Sequence, residues 1–301
     1  MRRTALLAVV AVAAAAVAAV GWAVTAPRPL AEGALPAGWT PEEADAANGA
    51  RLLALGGCVG CHAAPDAEGE ARRVLSGGRR FETEFGTFLA PNISPHPEAG
   101  IGGWSARDFA SAMLRGVSPE GAHYYPAFPW PSYSRMAVGD VLDLWAHLRT
   151  LPADPTPSAP HEIGFPWNLR AGIGVWKALN LHPEPVISGL SGEAERGRVL
   201  AEGIGHCAEC HTPRGPLGGA ELDRWMAGGP NPDGPGKIPD VTPAALSWSS
   251  SDIAYYLETG FTPDFDSVGG SMVEVVRGTS RLPPEDREAI AAYLKALPPI
   301  E

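Results

Sequence analysis

The pentapeptide Cys-x-x-Cys-His occurs twice in this chain, at residues 58–62 and 207–211, and the two copies contain all four cysteines of the sequence. Two thiols at this spacing reach both vinyl groups of one porphyrin, and the adjacent imidazole can bind the iron below the ring. The pattern therefore predicts two covalently bound haem c groups. The predicted attachment residues are Cys58, Cys61 and His62 for haem 1, and Cys207, Cys210 and His211 for haem 2.

Two other chemistries also use a Cys-x-x-Cys pair. A zinc ribbon places its second pair about 15–20 residues after the first, whereas Cys61 and Cys207 lie in opposite halves of the chain. A thioredoxin-like redox pair belongs beside a βαβ pattern. Neither alternative explains a histidine in both copies, so haem attachment is the interpretation that accounts for every residue of the motif.

The haem motif is one part of a longer internal repeat. The matching segments, in the same order in both halves, are residues 49–54 and 197–202, 75–78 and 226–229, 91–95 and 239–243, 104–108 and 248–252, and 140–152 and 286–298. Such a repeat indicates a duplicated domain. The predicted segments are a signal peptide or membrane anchor at 1–26, a first haem domain at 38–153, a proline-rich strap at 154–190 and a second haem domain at 191–301.

Each copy is predicted to fold as three helices and glycine- and proline-rich loops around its haem. The sequence Thr40-Pro41-Glu42-Glu43 has the N-cap, proline and glutamate of a helix start, and this first helix should end near Leu55. Ser-x-x-Asp at Ser105 and at Ser249 predicts the middle helices. The last matching segment of each half has a helical apolar stripe. The fold class is therefore mainly α.

The N-terminus predicts export from the cytoplasm. Met1-Arg2-Arg3 is followed by an uncharged segment from Thr4 to Ala26. That segment exceeds the 7–15 apolar residues of an ordinary signal peptide and approaches the roughly 20 needed to span a bilayer. Because Pro27 should hinder cleavage, we expect residues 4–26 to form a hydrophobic helix that anchors a periplasmic protein to the inner membrane. Cleavage to a soluble form is the alternative.

The net charge of −11 makes nucleic acid an unsuitable partner, because its phosphates would repel such a chain.

Taken together, these motifs resemble the class I cytochrome c family, and in particular the cytochrome subunits of periplasmic alcohol, gluconate and aldehyde dehydrogenases. Besides both haem motifs, the resemblance rests on residues 91–95, 102–105, 124–129 and 205–213. It implies electron transfer without catalysis: a periplasmic or membrane-associated dehydrogenase would be the donor, and a cytochrome or terminal oxidase the acceptor. Those subunits commonly carry three haems, whereas this chain has two motifs.

The resemblance also implies a methionine sulfur as the sixth iron ligand. Met272, in a glycine-rich loop, is expected to bind haem 2. For haem 1, Phe128 stands where related chains often have methionine, so Met136 is the expected ligand and His123 the alternative. If neither binds, haem 1 has an open iron, and the alternative function is a dihaem peroxidase.

Overall fold

The computed structural model describes residues 2–231 and 234–300, and it is mainly helical, as the sequence predicts. Met1 and Glu301, the outer ends of the first and last predicted segments, lie outside the described residues. The helices up to residue 150 are α1 (Arg2–Thr25), α2 (Ala46–Leu55), α3 (Cys58–His62), α4 (Ala106–Arg115), α5 (Trp130–Tyr133) and α6 (Val138–Leu148). The later helices are α7 (Ala171–Asn180), α8 (Gly192–Glu202), α9 (Ala208–His211), α10 (Ser250–Thr259), α11 (Met272–Thr279) and α12 (Pro284–Ala296).

Each half also contains a short antiparallel strand pair after its haem motif. In the first half β1 (Arg80–Thr83) pairs with β2 (Gly86–Leu89), with Arg80 opposite Leu89. In the second half β3 (Gly229–Pro230) pairs with β4 (Lys237–Ile238). The repeat found in the sequence therefore extends to these small hairpins.

The first helix begins later than the sequence predicts. Thr40 makes no capping hydrogen bond, and Pro41–Glu43 form only a short 3-10 turn. Asp45 is the cap of α2 instead, because its carboxylate accepts from the backbone N–H groups of Ala47 and Asn48 at 2.9 and 3.0 Å. A carboxylate with two amide donors satisfies the helix end, so the expected start at Pro41 is wrong.

The middle helices begin where the sequence predicts. Ser105 accepts from the N–H of Asp108 at 3.1 Å, and the carboxylate of Asp108 accepts from the N–H of Ser105 at 3.0 Å. Ser249 and Asp252 make the same reciprocal pair. Both starts are capping boxes.

The first and last helices of each half cross at a glycine. Gly49 of α2 faces the backbone carbonyl of Asp143 in α6, and Gly197 of α8 faces that of Ala289 in α12. A Cβ atom at either glycine would overlap the facing carbonyl oxygen. The two crossings therefore depend on glycine, because only a residue without a side chain permits this approach.

The two halves share one hydrophobic core. Its buried residues include Leu52, Leu144, Leu200, Ile253 and Ile290, so helices from both parts of the repeat pack together. A smaller cluster is built around the buried side chains of Trp225, Met226 and Tyr293. Since the main core is continuous, the division into two tandem domains stays a prediction.

Residues 154–190 contact both halves. Glu162 pairs with Thr87 through two backbone hydrogen bonds of 2.9 and 3.0 Å, and its carboxylate accepts from Arg80 at 2.7 and 2.8 Å. Further along, Trp176 donates to the carbonyl of Leu217 at 2.8 Å. The segment thus links the β1–β2 hairpin to the second half.

The expectation of a membrane anchor is wrong. Among the residues that the structure describes, no helix combines the length and the apolar character needed to cross a membrane. Much of α1 is alanine, whose single methyl group offers little apolar surface to a bilayer. The C-terminal end of α1 contacts the rest of the protein, where the Thr25 backbone lies against Gly174 of α7.

Candidate functional site

The first haem motif forms a short helix directly after α2. Gly57, with φ of 58°, ends the preceding turn, and α3 then carries Cys58 and Cys61 one helical turn apart. Residues at this spacing share one face of a helix. The Nδ1 atom of His62 lies 2.8 Å from the carbonyl oxygen of Pro91. With its proton on Nδ1 donated to that carbonyl, the imidazole has a free Nε2 lone pair for iron.

The second motif repeats this geometry. Cys207 immediately precedes α9, and Nδ1 of His211 lies 2.9 Å from the carbonyl oxygen of Pro239. Burial lowers the pKa of both motif histidines, which favours the neutral imidazole that binds metal. Both donor sets therefore fit a haem iron: two thiols on one face, and a neutral, oriented histidine.

A glycine holds each histidine segment against its proline. The N–H of Gly77 donates to the carbonyl of His62 at 2.7 Å, and that of Gly228 donates to His211 at the same distance. The φ angles of the two glycines are 79° and 71°. A Cβ atom would lie 2.5 Å from the carbonyl carbon of Pro91 at Gly77, and 2.7 Å from that of Pro239 at Gly228.

The sequence did not identify these proline carbonyls as partners of the histidines. The signal was present, because Pro91 and Pro239 begin matching segments of the repeat and follow His62 and His211 by 29 and 28 residues. The structure shows that the acceptor for each histidine is a backbone carbonyl oxygen, and no side-chain motif in the sequence identifies a backbone atom.

The surroundings of the first thiol in each motif disfavour its charged form. Burial raises the pKa of Cys58 to about 12 and that of Cys207 to about 12. Such surroundings suit a thioether to haem, because a thioether carries no charge. Within residues 2–231 and 234–300, no three histidine, cysteine or acidic side chains converge to hold a metal ion.

The predicted methionine ligands lie in different surroundings. Met136 is 8% exposed in the shared core, and its N–H donates to the carbonyl of Tyr133 at 2.9 Å. Met272 is the partly exposed first residue of α11, a helix that packs against α2 of the first half. Their assignments to haem 1 and haem 2 stay predictions.

His123, the alternative ligand of haem 1, contacts another part of the protein. Its Nε2 atom lies 2.7 Å from the carbonyl oxygen of Thr25, and Arg170 donates to its backbone carbonyl. Burial lowers the pKa of His123, and the charges of Lys177 and Arg170 lower it further. The carbonyl contact occupies Nε2, while Nδ1 of His123 is buried without a hydrogen-bond partner among the described residues, so the choice between Met136 and His123 stays a prediction.

Both haem motifs border one contact surface between the halves. His206, which precedes the second motif, places Nε2 3.2 Å from the carbonyl of Gly56, which precedes the first. The His206 ring is 5.8 Å from that of Tyr133. Within the second motif, Glu209 accepts from the hydroxyl of Ser132 at 2.7 Å.

Ion pairs hold the same contact together. Burial disfavours the charge of Glu209, but Arg214 at 2.6 Å and the Ser132 hydroxyl hold the pKa of that carboxyl below its usual value. On the other side, Glu274 of α11 pairs with Arg72 of the first half at 2.5 Å. No sequence pattern predicts the contacts of Glu209 with Ser132 and of Glu274 with Arg72, because these partners are distant along the chain.

Comparisons with known proteins agree with this chemistry. The sequence pattern of the cytochrome c family matches residues 194–298. A diheme c-type cytochrome of Cereibacter sphaeroides is 57% identical to this chain, over 85% of the chain and 87% of its own length. The cytochrome c subunit of the quinone alcohol dehydrogenase of Gluconacetobacter polyoxogenes is 33% identical, over 84% of this chain and 56% of its own length. The fructose dehydrogenase cytochrome subunit of Gluconobacter japonicus is 32% identical, over 80% of this chain and 50% of its own length.

Paired thiols with an oriented histidine, present twice, define a c-type cytochrome. This chain belongs to the dihaem c-type cytochromes, and it carries two covalently bound haem c groups. It is an electron-transfer protein and not a catalytic subunit, so the resemblance inferred from the sequence is confirmed. The chain spans about half the length of the alcohol and fructose dehydrogenase cytochrome subunits that it matches.

Proposed function

We propose that this protein takes electrons from a dehydrogenase and passes them through its two haems to a downstream cytochrome or terminal oxidase, in the periplasm. The observation that best supports this path is the position of both haem motifs at one contact surface. When bound, each haem iron supplies a one-electron couple between Fe(III) and Fe(II). A protein that relays electrons needs its two carriers close together, and the contact between the motifs meets that need.

The protein residues hold and tune the two irons. His62 and His211 would bind from one side, and their hydrogen bonds to Pro91 and Pro239 fix each ring and increase its basicity. Methionine sulfur from Met136 and Met272 would complete the coordination and raise both potentials. Filled sixth positions would leave no site for a substrate on either iron.

The contact region would also exclude water from the path between the motifs. Tyr133 is buried beside the first motif, and its ring packs against His206 and against Phe128 at 5.6 Å. Burial raises the pKa of the Tyr133 phenol well above its usual value, so the group stays neutral. A neutral, packed interior needs little rearrangement when one electron passes through it.

A dehydrogenase donor follows from the relatives. The cytochrome subunits of an alcohol dehydrogenase and a fructose dehydrogenase match 84% and 80% of the length of this chain. Because the chain spans only about half of their length, the identity of its own donor is part of the proposal.

The peroxidase alternative has little support from the structure. It requires an acid-base residue above an open iron, and His123 was the candidate near the Phe128 loop. Its Nε2 atom faces the carbonyl of Thr25. Phe128 itself packs edge-on against Tyr124 and Tyr133, at 5.7 and 5.6 Å.

Anaerobic stopped-flow mixing with a substrate-reduced quinone alcohol dehydrogenase tests the proposal. We expect reduction of both haems, with the final absorbance change equal to that produced by dithionite. Addition of peroxide to the reduced protein should give no catalytic turnover. Failure of either haem to accept electrons from any dehydrogenase of the alcohol, fructose or gluconate class would contradict the proposed role.

A further inference from the structure

Three aromatic side chains are exposed on one surface of the second half. Phe265 is 94% exposed, and Phe261 and Tyr255 are about half exposed, at 50% and 53%. Tyr255 lies on α10, and Phe261 and Phe265 lie in the loop that connects α10 to α11. Large apolar side chains that cluster on a surface indicate an interaction site.

The loop that carries them is an ordered turn. The N–H of Thr262 donates to the carbonyl of Asp266 at 2.9 Å, and the N–H of Phe265 donates to that of Thr262 at 3.0 Å. The Thr262 hydroxyl accepts from the N–H of Asp266 at 3.0 Å. Phe265 has a φ of 64°, in the left-handed region that a bulky residue rarely adopts. A strained residue held in a hydrogen-bonded turn, with its ring in solvent, points to a function.

The aromatic residues line a shallow groove together with a carboxylate. The lining residues are Asp252, Tyr255, Phe261, Thr262, Pro263 and Phe265. Aromatic faces attract cations, and a nearby carboxylate pairs with them. The groove therefore has the chemistry to accept a lysine or arginine side chain of another protein.

The surrounding sequence is strongly acidic. Residues 238–276 contain no lysine or arginine, and six of them are acidic: Asp240, Asp252, Glu258, Asp264, Asp266 and Glu274. Glu258 and Glu274 pair with arginines from neighbouring segments. Asp264 and Asp266 are exposed beside Phe265. The surface thus combines an apolar centre with a negative rim.

The same loop leads into Met272, the predicted iron ligand of haem 2. A partner bound to the exposed aromatic residues would sit next to the segment that completes this haem site. Weak, brief electron-transfer complexes use small interfaces of this kind, and charge complementarity accelerates their formation.

We propose that Tyr255, Phe261 and Phe265, with the carboxylates of Asp252, Asp264 and Asp266, form a docking surface for the electron acceptor. We call this set the aromatic–acidic patch. The acceptor is a small redox protein with lysines around its exposed cofactor edge. This inference rests on the proposed function, because it names the chemistry of the protein that receives electrons from haem 2.

The test is the second-order rate of electron transfer from the dithionite-reduced protein to a basic class I cytochrome c, measured by stopped flow. For wild type we expect a rate constant that falls at least tenfold between low and high ionic strength. The Asp264→Asn/Asp266→Asn variant should react about tenfold more slowly at low ionic strength and lose much of its salt dependence. The matched control, Glu42→Gln/Glu43→Gln, removes two exposed charges from the first half and should stay within about twofold of wild type.

Phe265→Asn tests the aromatic part without loss of the turn. Asparagine accepts a left-handed conformation more readily than phenylalanine, so the variant should be at least as resistant to unfolding as wild type. Its rate with the basic cytochrome should still fall about tenfold, as expected for an interface anchor. The exposed residue Leu179, changed to alanine, is the apolar control and should leave the rate unchanged.

Two results would overturn the docking surface. The first is that variants of the aromatic–acidic patch react with the basic cytochrome as fast as wild type does. The second is that the wild-type protein reacts faster with an acidic cytochrome than with a basic one. Reduction by the dehydrogenase, measured on the same samples, reports separately on the proposed function: normal reduction with unaffected patch variants rejects only the docking surface.

Discussion

The side chain of Glu202 is fully buried and connects residues 154–190 to the second half. Its carboxylate accepts from the backbone N–H groups of Val186 and Ile187 at 2.8 and 3.1 Å, and from the hydroxyl of Tyr293 at 2.8 Å. Trp225 in turn donates to the Tyr293 hydroxyl at 2.9 Å. One acid thus attaches the end of residues 154–190 to α8 and α12.

Replacement of Glu202 by alanine should destabilise the protein substantially. The change leaves a buried hydroxyl and two backbone N–H groups without their acceptor, and the free energy of unfolding should fall by about 3 kcal/mol. Chemical denaturation followed by circular dichroism measures it. Glu288→Ala, at an exposed position of α12, is the control and should change stability by less than about 0.5 kcal/mol. An equal effect of the two substitutions would refute the role of Glu202.

Buried phenols make the fold sensitive to alkali. Burial raises the pKa of Tyr133 and of Tyr293, and the carboxylate of Glu202 raises the latter further. In the unfolded chain these phenols ionise near pH 10, while in the folded protein they stay protonated. The folded state then binds more protons, so their contribution to stability is complete below pH 10 and is lost as pH rises above it.

We therefore expect the free energy of unfolding to fall above pH 10, with a limiting slope of about 1.4 kcal/mol per pH unit for each phenol. Tyr293→Phe removes one of them and should make the decline shallower by about that amount, although its stability at neutral pH will be lower. Denaturant titrations of both proteins between pH 9 and pH 12 provide the comparison. Parallel pH profiles would show that Tyr293 does not carry this effect.

At the scale of elements, the helix crossings at Gly49 and Gly197 fix the frame of each half. The crossings place α2 against α6 and α8 against α12. Each haem motif follows directly on the first helix of its pair. The position of a motif therefore depends on how closely that helix approaches its partner.

Gly197→Ala should lower the free energy of unfolding by about 2–3 kcal/mol, because the new methyl group overlaps the backbone carbonyl of Ala289 and forces the helices apart. Gly139→Ala provides the control at a helical glycine with open space around it. There alanine should stabilise by about 0.5–1 kcal/mol through its higher helix propensity. Thermal unfolding of both variants decides the point. A stabilising Gly197→Ala substitution would mean that the helices do not cross as described.

The sequence predicts those helices whose starts are determined by residues close together in the chain. The Ser-x-x-Asp starts at Ser105 and Ser249 encode their own caps, and both are confirmed. The start of α2 was predicted too early because Thr40-Pro41-Glu42-Glu43 has the pattern of a helix start, whereas the helix is capped by Asp45, five residues later. The membrane anchor was predicted from the length and lack of charge of residues 4–26. Neither property measures how little apolar surface an alanine side chain offers.

Within the candidate site, the haem motifs could be read directly because their residues are adjacent in the chain. The partners of His62 and Glu209 could not, because a backbone carbonyl and a distant serine have no sequence signature. The exposure of Phe265 has no sequence signature either. A phenylalanine in a loop is usually assigned to a core until its surroundings are known.

For the whole molecule, the continuous core and the contact between the motifs make the two haem sites parts of one unit. Met272 belongs to a helix that packs on the first half, while Met136 lies in the shared core beside Gly203 of the second. Each predicted ligand is therefore positioned by both halves.

Met272→Ala should lower one of the two reduction potentials by roughly 0.1 V or more, since axial ligands set haem potentials over a range of about 0.8 V. The other potential should change little. Met113→Ala, a core methionine of α4, controls for the general effects of methionine loss and should leave both potentials near their original values. Spectroelectrochemical titration resolves the two couples. Unchanged potentials in Met272→Ala would remove this residue from the haem 2 site.

We propose that this chain relays electrons through two covalently bound, fully ligated haems. Magnetic circular dichroism of the oxidised wild-type protein in the near infrared, combined with a pyridine haemochrome count, tests it most directly. We predict two haems per chain that resist acid-acetone extraction, both low-spin, with two methionine-iron signals. A high-spin iron that binds cyanide readily and reduces peroxide would show instead that one haem has an open, catalytic iron.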